Sequence, residues 1–211
     1  MEYLDRKVIP MLYSQRGNEE VDQSSSVDEN IAAAHRHHVG DPAEMPTMLC
    51  IGNENVFLKR TELFDGRVAA FLPRSLRLIS EKEADLKYPS SNRPEWIYTN
   101  DTGTVNFTFN RLDHRISAEE MTSFTETMAN VLRSTQPIRQ WDKQGVRITD
   151  TGHVLGYCQF SVQGLNDQIY NYIGFTILDQ KVLVYGFNCT DEEKKDWVEP
   201  GEMILNSLEI L

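Results

Sequence analysis

A chain of 211 residues has room for one domain with a substantial core, and its 40% hydrophobic and 25% charged residues are typical of a globular protein. Its 32 acidic residues outnumber 21 basic residues and give a formal net charge of -11, which disfavours nucleic acids and anionic membranes as partners. No run of about 18 apolar residues occurs, so we predict no membrane span.

The cysteines and the first residues bear on the cellular compartment. Cys50, Cys158 and Cys189 are far apart, odd in number and without a CxxC pair, which disfavours both a disulfide framework and a zinc-thiolate site. The first twenty residues lack the basic region and continuous apolar stretch of a signal peptide. We therefore predict a cytoplasmic protein with reduced thiols.

The N-terminal part of the chain is predicted to be a polar, largely disordered tail over residues 1–47. It is dominated by Ser, Asn, Asp, Glu, Gln and His, and it lacks a hydrophobic period long enough to offset the entropy of ordering. Order is expected to begin at Met48, and residues 48–211 are predicted to form a single α+β domain.

The first part of this domain contains strand-like runs and a loop. The dipeptide Asp65-Gly66 is typical of a hairpin turn, and LRLIS at 76–80 predicts a further strand. The segment KYPSSNRPEW contains Pro89 and Pro94, which remove backbone donors and predict an extended loop. Apolar residues then alternate with polar ones from Thr104 to Phe109, which predicts a half-buried strand.

Two helices are predicted in the second part of the chain. The first begins with a capping box at Ser117 and Glu120 and ends before Pro137. The second follows a similar box at Thr190 and is expected to be interrupted near Pro200.

Between these helices the sequence predicts three strands of an antiparallel meander, over residues 145–163, 168–178 and 181–189, separated by turn residues at Asn166-Asp167 and Asp179-Gln180. In the middle strand, Ile169, Ile173, Phe175 and Ile177 are expected on one face, and Tyr170 and Tyr172 on the other. The pieces combine into an α+β fold with a central, mainly antiparallel sheet flanked by helices on both faces, an α/β/α sandwich.

Several segments of residues 65–211 resemble the PsbP-like superfamily, which includes the photosystem PsbP subunit, the Ran-binding protein Mog and the DcrB-like bacterial lipoproteins. The resemblance is carried by VAAFLPRSLRLIS, the helix after Ser117, the strand ending in LVYGFNCT and the terminal MILNSLEIL. The stretch KYPSSNRPEWIYTNDTGTVNFTF is similar to a phrase of uncharacterised bacterial relatives. From the sequence we expect neither a lipobox nor a transit peptide, a departure from the DcrB-like lipoproteins and plant PsbP.

The resemblance implies a non-catalytic binding or accessory module, most of all for another protein, since the superfamily acts mainly through protein or ion binding. A small-ligand or metal-binding pocket protein is the alternative, and a hydrolase of unrecognised type is the third reading. The motifs GxSxG, HExxH, GxxxxGK[ST] and GxGxxG do not occur, so no catalytic residue or cofactor is predicted.

A recognition surface for a protein partner is predicted on the proline-containing loop, because rigid aromatic and arginine side chains offer contact area at low entropic cost. Its residues are Lys87, Tyr88, Arg93, Trp96 and Tyr98. The alternative is that Tyr88 and Trp96 only cover the edge of the sheet.

Two further groups are candidate ligand sites. Trp141, Tyr170 and Tyr172 are candidates for the lining of a pocket, with core packing as the alternative. His35, His37 and His38 form an HxHH cluster whose imidazoles are candidate ligands of a divalent transition metal. The alternative for this cluster is a solvated histidine run in the tail.

Overall fold

The computed structural model of the protein describes residues 47–88, 93–149, 152–164 and 167–211. Within these ranges the strands are β1 (Met48–Ile51), β2 (Glu54–Leu63), β3 (Val68–Pro73), β4 (Arg77–Leu78), β5 (Trp96–Thr99), β6 (Val105–Arg115), β7 (Ile138–Ile148), β8 (Val154–Gln163), β9 (Gln168–Leu178), β10 (Lys181–Thr190) and β11 (Glu209–Ile210). The helices are α1 (Glu81–Lys87), α2 (Met121–Thr135) and α3 (Asp191–Asn206). Apart from Thr47, the predicted tail lies outside the described residues.

The strands form two antiparallel sheets. The larger sheet has seven strands in the order β4-β5-β6-β10-β9-β8-β7, and the smaller has the order β1-β2-β3-β11. The predicted mainly antiparallel sheet is therefore confirmed, and sheets dominate the architecture. The smaller sheet was not predicted as a separate sheet.

Tight turns join neighbouring strands where the sequence places turn residues. Phe64, Asp65 and Gly66 have φ values of 52°, 56° and 80° between β2 and β3, and Asp179 and Gln180 have φ values of 55° and 62° between β9 and β10. In the first turn the Arg67 N–H donates to the Phe64 carbonyl at 3.2 Å. In both turns the two central residues have positive φ, as in the hairpin turns that the right-handed twist of the strands favours. Both of these predicted turns are confirmed.

Two large core clusters contact the seven-stranded sheet, and a small third one joins α1 to β5 through Ile79, Ala84, Tyr88 and Ile97. The α2 cluster contains the buried face of α2 and residues of β6, β8, β9 and β10, namely Leu112, Ile116, Met121, Phe124, Met128, Ala129, Leu132, Cys158, Phe160, Val162, Phe175 and Val182. The α3 cluster joins α3 and the smaller sheet to the larger one, and includes Leu63, Val68, Leu72, Phe107, Phe109, Tyr170, Tyr172, Tyr185, Phe187, Ile204 and Leu205.

The strand β9 contributes to both clusters, with Ile169, Ile173 and Phe175 in or against the α2 cluster and Tyr170 and Tyr172 in the α3 cluster. The alternation predicted for this strand is confirmed, because successive side chains of a strand point to opposite faces.

One predicted strand is two strands in the structure. The segment expected as a single strand over 145–163 contains the end of β7 and all of β8, which pair with each other as a hairpin. Gly152, with a φ of 82°, lies in the connection. The turn was missed because Gly152 is the only strong turn residue there and β7 lacks a regular apolar alternation.

The helix boundaries also differ from the prediction. Residues 81–87 form α1, which was not predicted; Ser80 caps it, with Oγ accepting from the Glu83 backbone N–H at 3.3 Å. The helix α2 begins at Met121 rather than after Ser117, although the Ser117 N–H donates to Glu120 Oε2 at 2.7 Å. The helix α3 runs through Pro200 without the expected interruption.

Candidate functional site

The predicted loop surface does not lie together on one exposed face. Tyr88 is 2% exposed and packs with Ile97, while Tyr98 is 7% exposed and joins the α3 cluster. Because Ile97 and Tyr98 are neighbours on β5, the two tyrosines contact opposite faces of that strand. Burial leaves neither ring available as contact area, and it raises the pKa of Tyr98.

Arg93 and Trp96 are both half-buried. Lys87 is the last residue of α1, and Arg93 forms an ion pair with Asp85. Trp96 is half-buried at the start of β5, with its ring 6.5 Å from that of Phe64 in an edge-to-face arrangement. A partner-binding role for Lys87, Arg93 and Trp96 stays a prediction.

The predicted pocket residues are divided between the two core clusters. Trp141 packs against the α2 cluster, stacked on Phe160 at 5.3 Å with the Arg133 guanidinium 4.0 Å from its ring centroid. Tyr170 and Tyr172 belong to the α3 cluster. The structure therefore does not bring Trp141 together with the two tyrosines, and a shared pocket of these three residues stays without geometric support.

The histidine cluster at His35, His37 and His38 lies outside the described residues. Within the part of the chain that the structure describes, no three His, Cys, Asp or Glu side chains are grouped closely enough to hold a metal ion. Among the described helices, none is both long and apolar enough to cross a bilayer.

A group that was not predicted lies on the side of β7 and β8 that carries the α3 cluster. The Lys143 Nζ is 5.7 Å and the Arg147 Cζ 5.8 Å from the ring centroid of Tyr157, a residue of β8. From α3, the Lys194 Nζ lies 5.3 Å from the ring of Tyr170. We call Lys143, Arg147, Tyr157 and Lys194 the cationic face.

Each cation of this face is held by neutral groups. The Arg147 guanidinium donates to Asn206 Oδ1 and, at 3.5 Å, to the Tyr172 hydroxyl, and the Lys194 ammonium donates to Ser161 Oγ at 3.5 Å. Among the described residues, none of the three cations forms an ion pair with a carboxylate. Within the described part of the chain, their positive charge is therefore not neutralised by direct contact with a carboxylate.

The tyrosines beneath this face stay protonated at neutral pH. Burial, opposed by the nearby Arg147, raises the pKa of Tyr172 to about 12. Burial also raises the pKa of Tyr170, whose hydroxyl donates to Glu202 Oε1 at 3.0 Å. The carboxylates of Glu202 and Asp142 also act on Tyr170 and contribute to its raised pKa, so the three cations share this face with negative charge.

The cationic face lies at an edge of the larger sheet as the described residues form it. β7 is the last of the described strands in the sheet order, and its residues are exposed or half-buried. An edge strand presents backbone N–H and C=O groups that are not used by the sheet. The face thus combines positive side chains with backbone groups able to form hydrogen bonds.

A cavity beside this face, which shares Asn206 with it, is small. It has a volume of about 10 Å³ and is lined by residues that include His153, Thr176, Tyr185 and Asn206. A volume of about 10–15 Å³ holds one water molecule, so this cavity does not admit an organic ligand.

A local sequence signal for the cationic face was present. In IRQWDKQGVRI, the basic residues Arg139, Lys143 and Arg147 recur every four positions against one acidic residue, in a chain of net charge -11. Residues four apart lie on the same face of a regular strand. The contribution of Lys194 had no local signal, because it depends on how α3 packs on the sheet.

The arrangement of sheets and helices is a PsbP-like fold. It is similar to cyanobacterial PsbP (CyanoP) from Synechocystis sp. PCC 6803, with a TM-score of 0.53 and 13% identity over 77% of this chain and 98% of that chain. This likeness confirms the predicted PsbP-like fold and concerns the fold alone.

Two other solved structures are similar at lower TM-scores. PA94, a Pseudomonas aeruginosa protein of unknown function, has a TM-score of 0.42 and 11% identity over 71% of this chain and 94% of that chain. LpqN, involved in cell envelope biogenesis of Mycobacterium tuberculosis, has a TM-score of 0.45 and 13% identity over 75% and 92%. No protein-family model and no curated protein matches the sequence.

Proposed function

We propose that the protein is a non-catalytic binding or accessory module for another protein, and that the cationic face is its binding surface. The observation that supports this proposal is the set of Lys143, Arg147 and Lys194, which are stacked on tyrosines without a carboxylate partner among the described residues. Arginine and tyrosine are enriched at the energetically important positions of protein interfaces. A partner with an acidic segment would neutralise the face.

The size of the surface favours a macromolecular partner over a small ligand. The cationic face is open and continues along the edge of β7, whereas the neighbouring cavity of about 10 Å³ has room for one water molecule. A small-ligand or metal-binding pocket protein remains the alternative.

A hydrolase that uses Cys158 or Cys189 as its nucleophile is disfavoured. Burial raises the pKa of both thiols to about 12 and keeps them protonated, whereas the nucleophile would be the thiolate.

The proposed scaffold is an α/β/α sandwich, as the superfamily resemblance implies. Support comes from the two core clusters, in which α2 packs with alternate residues of the larger sheet and α3 packs with the others. The proposed location is the cytoplasm, which fractionation of the native cells would test.

Selection from a displayed library of random peptides tests the binding proposal even while the natural partner is unidentified. The wild-type protein is expected to enrich peptides rich in Asp and Glu, and the Lys143→Glu/Arg147→Glu variant is expected to lose them. The enriched peptides should bind more weakly as salt rises, because the Debye length falls from about 8 Å at 0.15 M to about 3 Å at 1 M ionic strength.

Two control variants make this selection specific. Lys82→Glu changes an exposed charge on α1, which lies near β4 and β5 at the opposite end of the sheet, and should leave the enrichment unchanged. Arg93→Ala/Trp96→Ala tests the predicted loop surface. If only Arg93→Ala/Trp96→Ala loses the acidic peptides, the binding site lies on the loop. If Lys143→Glu/Arg147→Glu enriches the same peptides as the wild type, the cationic face is not the binding surface.

A further inference from the structure

We propose that the partner binds as an extended strand that pairs with the outer edge of β7 and presents alternating acidic and apolar side chains. This inference rests on the proposed function and specifies its partner. The inner edge of β7 pairs with β8 without irregularity from Lys143 to Ile148. Six regular residues are about as many as an average strand contains, so this segment can template one more strand.

The side chains of this segment differ between its two faces. Lys143, Gly145 and Arg147 are in register with Gln159, Tyr157 and Leu155 of β8, and therefore share the face that carries the α3 cluster. Acidic residues of an added strand would lie beside the two cations on this face. Since residues opposite each other in neighbouring strands are about 5 Å apart, carboxylates four positions apart would reach Lys143 and Arg147 together.

The other face of the segment is apolar at its end. Val146 packs against the α2 cluster, and Ile148 is 71% exposed on the same face. An exposed isoleucine on an edge strand gains contact area when an apolar side chain lies beside it. The added strand is therefore expected to carry acidic residues in one phase of the alternation and Val, Ile or Leu in the other.

A second copy of this chain fits the edge poorly. In a two-fold antiparallel pairing centred on Gly145, Lys143 of one copy would lie opposite Arg147 of the other, on the same face. Like charges directly opposite each other destabilise a sheet. Irregularities between Ile138 and Gln140 and between Trp141 and Lys143 also interrupt the edge outside the regular segment. These features oppose self-association while leaving the edge open to an acidic strand.

Four synthetic peptides of eight residues test this inference by fluorescence anisotropy. The first alternates Glu with Val and Thr so that two Glu residues are four positions apart. The second has the same composition with one Glu moved by one position into the other phase. The third and fourth keep the first sequence and carry methyl groups on alternate backbone nitrogens, one at the odd positions and the other at the even positions. The second peptide loses one exposed ion pair and should bind about fivefold more weakly than the first. The methylated peptide whose methyl groups face β7 loses the backbone hydrogen bonds and should bind at least about tenfold more weakly.

Amide hydrogen exchange locates the contact. The first peptide is expected to slow exchange at alternate amides between Lys143 and Ile148, and to leave the amides of β4, at the other end of the sheet, unchanged. In Lys143→Glu the affinity for this peptide should fall at least about fivefold, whereas Lys82→Glu should retain it.

The possible outcomes separate the strand from the face. Strand addition is wrong if both methylated peptides bind as well as the first peptide and no β7 amide is protected from exchange. If Lys143→Glu still weakens binding in that case, the cationic face remains the binding surface. If none of the peptides binds, or Lys143→Glu binds them equally, both the inference and the proposed acidic partner fail. Sedimentation showing a dimer that Lys143→Glu strengthens would identify a second copy as the occupant instead.

Discussion

Gly156 of β8 lies beneath α2, and the substitution Gly156→Ala is expected to destabilise the protein. A Cβ at this position would overlap the Thr125 Oγ1 and approach the Met121 Sδ to 3.2 Å. Met121 is 0% and Thr125 2% exposed, so neither side chain has free space to move into. The Thr125 hydroxyl also donates to the Met121 carbonyl at 2.7 Å, which holds its orientation.

The magnitude follows from two opposing terms. Overpacking of a buried contact costs about 1–3 kcal/mol, while replacing glycine by alanine gains about 0.4–1 kcal/mol by restricting the unfolded chain. We therefore expect a net loss of about 1–2 kcal/mol in the free energy of unfolding. Urea unfolding followed by circular dichroism and analysed by linear extrapolation measures this loss.

A second substitution tests the cause. Thr125→Ala removes the overlapping oxygen, so it should restore about 1 kcal/mol or more in the Gly156→Ala background and have a smaller effect alone. Gly145→Ala is the matched strand control, because its Cβ would approach the Tyr157 side chain no closer than 3.2 Å, at the hydroxyl. Strictly additive effects of Gly156→Ala and Thr125→Ala would show that α2 does not contact β8 at this point.

Two further predictions concern titratable side chains. Cys50 is exposed, whereas Cys158 and Cys189 are buried, and burial raises the pKa of both buried thiols to about 12. A disulfide reagent should therefore label one thiol in the folded protein and three in urea. Labelling of all three thiols before unfolding would refute the packing. Burial raises the pKa of Tyr172 from 10.0 to about 12, so the folded state holds this proton more tightly than the unfolded state does. The resulting stability is complete below pH 10 and is lost as the pH rises from 10 through 12. A difference of two pKa units, at about 1.4 kcal/mol each, makes this loss about 3 kcal/mol. Tyr172→Phe should raise the midpoint of alkaline unfolding measured by circular dichroism, and an unchanged midpoint would contradict this reasoning.

Elements with strong local patterns were predicted well. The strands β9 and β10 begin and end within a residue of the predicted bounds, since each has apolar alternation and the turn at Asp179 and Gln180 separates them. The strand β7 was partly missed because its side chains are largely exposed, and an edge strand does not require a regular apolar pattern. The helix α1 has only seven residues and few buried contacts, so its hydrophobic period is too short to identify.

The candidate site shows the limit of local reasoning more directly. Alternation placed Tyr170 and Tyr172 on one face of β9, but only the register between strands showed that Trp141 packs in the other cluster. Aromatic and proline residues around Tyr88 suggested an exposed loop, whereas the tertiary packing buries that ring.

The sequence by itself determined the period of each strongly patterned segment, the turns between the last strands and the resemblance to PsbP-like proteins. These features depend on neighbouring residues and on their φ preferences, which the local sequence contains. The tertiary structure decided that Lys194 lies with Lys143 and Arg147, because Lys194 belongs to α3 whereas the other two cations share β7. Their proximity depends on strand register and on the packing of α3, which are long-range interactions that no short stretch of sequence encodes.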